Sequence, residues 1–212
     1  MRVLGIESSS LVASVALVTD DILTAEYTVD FKKTHSQTLL PMLDEIVKLL
    51  ELDMDTIDAI AVAGGPGSFT GLRIGAATAK GLGLALKKPL VHVPTVDAMA
   101  YNMWGAEGLI CPIMDAKRSQ VYTGLYHTGN GLEVVMEQQP MDMRELAGLL
   151  NEKGERVIFL GDGVPVYEDI IREMLTVPYA FAPAQMNRQR AASVAALGMN
   201  ALLDAKGCPG AR

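Results

Sequence analysis

Residues 2–29, RVLGIESSSLVASVALVTDDILTAEYTV, decide how the rest of the chain is read. The apolar run over 2–7 reads as a buried strand, 12–18 as a second and 22–29 as a third, with Asp20-Asp21 supplying a tight turn. So short a connection joins antiparallel neighbours, and the chain therefore opens as a three-strand meander. Downstream the apolar spacing changes from strand to helix. Leu39, Leu43, Ile46 and Leu50 mark a helix over 36–50, and a short apolar strand follows over 57–63, stopped by Gly64-Gly65-Pro66-Gly67. A second helix runs from residue 70 or 71 to about 86, where Lys87-Lys88-Pro89 puts cations at its carbonyl end and a proline beyond; a strand over 90–93 comes next.

A meander followed by alternating helices and parallel strands is the layout of one lobe of the actin, Hsp70 and sugar-kinase fold. The second half of the chain echoes that plan without repeating its sequence. Strands are expected over 110–115, 120–126 and 132–137 with a turn at 129–131, then a helix over 143–151, a strand over 157–160, a helix over 166–174 and a final helix over 191–205. The expectation is an α/β protein of actin-like (ASKHA, RNase H-like) fold, with two lobes that each hold a mixed sheet flanked by helices. The boundary is placed near 100–108, giving an N-terminal lobe over 1–104 and a smaller C-terminal lobe over 105–212.

With 212 residues, half of them apolar, the chain can bury a sizeable core. Its longest apolar stretches, such as 76–86 with Lys80 inside, fall short of the roughly 20 residues a bilayer helix needs. Arg2 runs straight into a strand-like segment, so no secretory leader is expected and the cytoplasm is the default compartment. Cys111 and Cys208 make neither a disulfide framework nor a metal cluster and receive no role. Eighteen Lys and Arg against 25 Asp and Glu give a net charge of -7, the wrong sign for holding a phosphate backbone unaided. Lys117-Arg118 and residues 188–190 are local basic spots that read as solvated surface.

Two loops are candidates for chemistry. Residues 64–75, Gly-Gly-Pro-Gly-Ser-Phe-Thr-Gly-Leu-Arg-Ile-Gly, expose backbone amides at a helix start, where an anion could be cradled; the competing reading is a tight connection packed on a neighbour. There is no Gly-Lys-Ser/Thr ending, so this is not a Walker loop. The turn after the first strand, Glu7-Ser8-Ser9-Ser10, lies where an actin-like fold places its first phosphate turn, yet it has no glycine to admit a triphosphate. Ser8, Ser9, Ser10, Gly65 and Gly67 are therefore only weak nucleotide-binding candidates, and no cofactor is expected. His35, His92 and His127 are too dispersed for a helix-borne metal pair, and His35 reads as a capping or surface group. No nucleophile, base and orienting acid assemble from local motifs.

The helices carry the sharper signal. Over 72–86 the polar side chains are Arg73, Thr78 and Lys80, so this helix is apolar nearly all round and needs cover on more than one face. Gly71, Gly75, Ala79 and Gly83 form a smooth row that would let another helix approach, and Ile74, Thr78 and Leu82 form the row beside it. The helix over 36–50 has a similar surplus. The expected partner-binding set is Leu39, Met42, Leu43, Ile46, Arg73, Ile74, Gly75, Thr78, Ala79 and Leu82; the competing reading is that the chain's own elements cover both faces.

Four segments carry a family resemblance: Leu4-Gly5-Ile6-Glu7-Ser8-Ser9 with Ser14-Val15-Ala16-Leu17; His35-Ser36-Gln37 with Leu40-Pro41-Met42; residues 65–75; and Asp115-Ala116-Lys117-Arg118 with Val121-Tyr122. Together they resemble the TsaB (YeaZ) family of the glycoprotease-like superfamily, over essentially the whole chain. The resemblance implies an actin-like subunit without catalysis of its own, which pairs with TsaD, the subunit that transfers threonylcarbamoyl to tRNA adenosine. TsaE, an ATPase, joins the pair, a homodimer forms when the subunit is alone, and tRNA is met only through the complex. TsaD-like proteins carry a His-x-x-x-His metal pair after the strand corresponding to 90–93, where this chain reads Val93-Pro94-Thr95-Val96-Asp97-Ala98-Met99. The chain also departs from the family in Glu7, where Asp is common, and in lacking a Pro-Tyr-Arg-like tail before Arg212. Two other readings compete: an independent ATP-binding actin-like enzyme, either a small kinase or an ATPase, and a metallopeptidase.

Overall fold

The computed structural model describes residues 1–32 and 34–206. In chain order the elements are β1 (Arg2–Glu7), β2 (Val12–Thr19), β3 (Ile22–Asp30), α1 (His35–Leu49), a 3-10 turn (Met54–Thr56), β4 (Ala59–Ala63), α2 (Phe69–Leu86), β5 (Leu90–Val93) and α3 (Thr95–Tyr101). There follow β6 (Leu109–Lys117), β7 (Gln120–His127), β8 (Glu133–Asp142), α4 (Met143–Lys153), β9 (Val157–Leu160), α5 (Val164–Met174), β10 (Tyr179–Phe181) and α6 (Ala191–Ala205).

The strands form two five-stranded sheets of the same plan, β3-β2-β1-β4-β5 and β10-β9-β6-β7-β8. In each, a meander is antiparallel and two further strands join in parallel. The expected repetition of one plan in both halves is thus observed. Three short elements are absent from the sequence expectations. The 3-10 turn and β10 have 3 residues each and α3 has 7, and none is long enough to display a clear period.

In the first sheet, side chains alternate between two covered faces, as a pleated strand requires. Leu4, Ile6, Val15, Ile60 and Val62 meet α1 and α2 on one side. Val3, Val18, Ala59, Ala61 and Val93 meet Val194, Ala195 and Met199 of α6 on the other. Burial on both sides is why β1, β2 and β4 read as continuous apolar runs, whereas the edge strand β3 is largely exposed. In the second sheet, Leu109, Cys111, Ile113, Leu125, Val157 and Phe159 pack with Met143, Leu146 and Leu150 of α4 and Val164, Tyr167 and Ile171 of α5. Burial pushes the Cys111 thiol up to about 12, which leaves it unreactive at neutral pH. Cys208 and the chain end lie outside the described residues.

Packing divides the chain differently from its linear order. One unit comprises Met1–Ala98 with Gln189–Arg212, the other Met99–Arg188. Where a lobe over 105–212 was expected, α6 instead returns to the first sheet. The physical reason is close approach through small residues: a Cβ on Gly5 would stand 2.3 Å from the Ala191 carbonyl oxygen, and one on Gly198 would stand 2.5 Å from the Ala61 Cβ. The start of α6 is tied down as well. Ser14 Oγ accepts from the Ala191 amide at 3.0 Å, and Glu26 accepts from the Ala192 amide at 3.2 Å while paired with the Arg190 guanidinium.

Candidate functional site

α2 begins where Ser68, its N-cap, accepts from the Gly71 amide at 3.3 Å. Its buried residues are Gly71, Gly75, Ala79 and Gly83, the smooth row itself. That row faces inward, not outward as expected. A Cβ on Gly71 would lie 2.1 Å from the Ser8 carbonyl oxygen and one on Gly75 would lie 2.3 Å from Ser8 Oγ, so the helix rests directly on the turn after β1. Small side chains set the spacing between helix and sheet, and the larger ones are left outside.

The expected partner set therefore divides. Leu39, Met42, Leu43, Ile46, Gly75 and Ala79 are buried in the chain's own fold, most of them in the core that α1 and α2 build on the first sheet. Ile74, Thr78 and Leu82 are half-buried, and Arg73 is exposed. What points outward is a group absent from that set: Phe69 (68% exposed) and Leu84 (83%) with Ala77, Gly81 and Ala85 on α2, and Leu40 (53%) and Leu49 (83%) on α1. The signal for it was present in the sequence, because 69, 73, 77, 81 and 85 form their own i, i+4 row, displaced from the glycine row. Beside α1, the exposed Tyr27 of edge strand β3 and Phe31 just beyond its end line a shallow groove with Pro41 and Met42.

The two loops meet each other. Ser8 Oγ donates to the Gly71 carbonyl at 2.9 Å, the Ser68 amide donates to the Ser9 carbonyl at 2.6 Å, and Gly67 approaches so closely that a Cβ there would stand 2.3 Å from that same oxygen. The Gly65 amide is met by Thr95 Oγ1 at 3.1 Å. Ser8 and Ser9 are buried, Ser10 is half-buried and accepts from the Val12 amide, and Gly65 and Gly67 are half-buried. This is the packed-connection geometry: Ser8 Oγ and the Ser9 carbonyl bond across to the glycine loop, Ser10 Oγ and the Gly65 amide are taken by Val12 and Thr95, and the buried Ser9 hydroxyl has no hydrogen-bond partner among the described residues. His35 is neither a cap nor a surface group: it is buried, with Nε2 donating to the Ser10 carbonyl at 2.8 Å, which ties the start of α1 to the same turn. Among the described residues no group of three His, Cys, Asp or Glu side chains is placed to hold a metal ion.

In the second unit, the Asp115-Ala116-Lys117-Arg118 segment forms the β6–β7 hairpin. Lys117, Arg118 and Ser119 all adopt positive φ (67°, 54° and 62°). Asp115 takes the Lys117 amide at 2.9 Å, the Lys117 ammonium, and the Tyr167 hydroxyl at 3.0 Å. Burial pulls the Asp115 carboxyl up, but these donors outweigh it and hold the carboxyl below its ordinary value. Burial, followed by the Asp115 carboxylate, pushes the Tyr167 phenol up to about 12. The group closes the hairpin, while Arg118 remains exposed.

Twin mixed sheets of one topology with helices over them define an actin-like protein. Solved structures agree: the chain is similar to YeaZ from Pseudomonas aeruginosa (TM-score 0.77, 25% identity, covering 97% of this chain and 93% of that one). At fold level alone it is similar to component A of (R)-2-hydroxyglutaryl-CoA dehydratase from Acidaminococcus fermentans (TM-score 0.51, 12% identity, 92% and 96% covered). Residues 29–207 match the family model described as TsaD: tRNA N6-adenosine threonylcarbamoyltransferase. The tRNA threonylcarbamoyladenosine biosynthesis protein TsaB of Bacillus subtilis is 35% identical over 93% of this chain and 87% of its own length, and that of Escherichia coli is 32% identical over 70% and 68%. The chain belongs to the TsaB (YeaZ) family of tRNA threonylcarbamoyladenosine biosynthesis proteins. No helix among its described residues is long and apolar enough to cross a membrane.

Proposed function

We propose that this chain is a non-catalytic subunit that docks the cytoplasmic threonylcarbamoyltransferase TsaD through the outer faces of α1 and α2. The observation that carries the reading is the apolar surface these adjacent helices leave uncovered, with Phe69, Leu84, Leu40 and Leu49 more than half exposed. Each large apolar side chain removed from water there contributes about 1–2 kcal/mol before the costs of association. Four helices, two from each of two related subunits, would cover one another. The same surface accounts for a homodimer when the subunit is alone, with TsaE and tRNA joining only the assembled complex. An anion role for Ser8, Ser9, Ser10, Gly65 and Gly67 is not part of this reading, because the loops pack tightly on each other, a Cβ on Gly67 standing 2.3 Å from the Ser9 carbonyl oxygen, and Ser8 Oγ is already bonded to the Gly71 carbonyl.

Reconstitution tests the reading. The chain, its TsaD, TsaE, tRNA and threonylcarbamoyl-adenylate are combined, and each protein is omitted in turn. Modification is expected to collapse without this chain, while the chain alone neither modifies tRNA nor turns over magnesium-ATP. Full modification in its absence would end the proposal.

A further inference from the structure

On the outer face of α2, the Arg73 guanidinium carbon lies 3.7 Å from the centre of the Phe69 ring. Both residues are exposed, one helical turn apart, so the stack is made within the helix and exists before any partner arrives. A guanidinium held against a ring in this way uses its π face for the contact and keeps its N–H donors for other groups, and their fork matches a carboxylate with two parallel hydrogen bonds. Arg73 and Lys80 are the charged residues of α2, both exposed, and neither has an ion-pair partner among the described residues. In a chain of net charge -7 this is a local inversion: an unpaired cationic edge set in an apolar face. On α1, by contrast, Lys48 is already paired with Asp44.

We infer that the Phe69–Arg73 stack is the recognition element of the docking face, and that it receives a carboxylate carried on an otherwise apolar helix of the partner subunit. The inference rests on the proposed docking function and adds the chemistry that selects the partner. Its argument is charge complementarity. An apolar face alone would accept any oily helix, whereas a pre-stacked arginine rewards a surface that presents Asp or Glu opposite it and penalises one that presents Lys or Arg. Two isolated cations flanked by Phe69, Ala77 and Leu84 make a poor phosphate track, which favours a protein over RNA as the occupant. Because the ring holds the guanidinium in place, little side-chain freedom is lost on contact.

The test measures the dissociation constant between the full-length chain and its TsaD by titration calorimetry for wild type, Arg73→Glu, Arg73→Lys and Phe69→Leu, with melting temperatures recorded for each. Arg73→Glu is expected to weaken the complex at least about 10-fold, and Arg73→Lys and Phe69→Leu by a smaller factor, all with melting unchanged because the side chains are exposed. Wild-type affinity should fall between about 50 and about 500 mM salt, and Arg73→Glu should reverse that slope. Among partner variants in which single surface carboxylates become Lys, one should restore binding to Arg73→Glu. A wild-type complex with an equally tight Arg73→Glu complex overturns the inference and leaves the docking function standing; no wild-type complex overturns both. Loss of binding to tRNA alone in Arg73→Glu, with the protein complex intact, assigns the stack to RNA and overturns the inference too.

Discussion

Replacing Gly75 with alanine puts a Cβ 2.3 Å from the Ser8 hydroxyl oxygen, whereas the same replacement at Gly81, on the same helix, meets nothing within 4 Å. Alanine exceeds glycine in intrinsic helix preference by about 1 kcal/mol at an interior position, and that gain is common to both variants. It cancels in their difference, which then reads packing alone. At Gly75 the new methyl either pushes α2 off the turn after β1 or turns Ser8 away. Overfilling a packed interior costs about 1–3 kcal/mol. If Ser8 turns away instead, its buried 2.9 Å hydrogen bond to the Gly71 carbonyl is lost, at about 1 kcal/mol. The variants should therefore differ by about 1–3 kcal/mol, with Gly81→Ala stabilised by up to about 1 kcal/mol and Gly75→Ala ranging from unchanged to destabilised by about 2. Urea unfolding followed by far-ultraviolet circular dichroism measures both midpoints, and a common slope shows that stability rather than compactness has changed. If Gly75→Ala proved as stable as Gly81→Ala, the inward orientation of the glycine row would be wrong, and with it the assignment of Phe69 and Leu84 to the outer face.

Two further outcomes follow from side chains away from that helix. The Tyr167 phenol, held up to about 12, keeps its proton in the folded protein through the region near 10 where an unfolded tyrosine loses it, so its contribution to stability is complete below about pH 10 and disappears as pH rises towards about 12. Phenolate absorbance of the wild type against Tyr167→Phe isolates this residue, and Asp115→Asn should lower its midpoint only part of the way to 10, because burial, the larger cause, remains. Glu26→Ala removes the carboxylate that pairs with Arg190 and accepts from the Ala192 amide, leaving a third-exposed guanidinium and that amide without their partner while Ser14 still holds the Ala191 amide; chemical denaturation should show a loss of about 2 kcal/mol, with α6 amides exchanging faster than those of β1.

Much of this architecture could be read from local pattern. The turn at Asp20-Asp21, the change of period after residue 35 and the terminator at Lys87-Lys88-Pro89 each act over a few residues, and the elements they delimit stand where they were expected to within a residue or two. Orientation was harder. A helix apolar all round does not announce which side meets its sheet, and the glycine row on α2, whose spacing alone suits an outer surface, is the contact that lets α2 lie against Ser8. The buried role of His35 depends on a carbonyl at Ser10, far away in the chain, and the return of α6 to the first sheet depends on Gly5 and Ala61, farther still. Such contacts leave no periodic trace. The outward row headed by Phe69 and Arg73 follows once the inward one is fixed, since the two are displaced around one helix.

Leu84 offers the most direct measurement on docking. It is 83% exposed and belongs to none of the core clusters, so an aspartate there leaves the fold intact while placing a charge in the middle of the proposed contact. The account predicts that Leu84→Asp melts within about 1 °C of wild type yet binds TsaD at least about 30-fold more weakly and no longer elutes with it on gel filtration. A Leu84→Asp chain that still co-elutes with TsaD at wild-type affinity would contradict docking through this face.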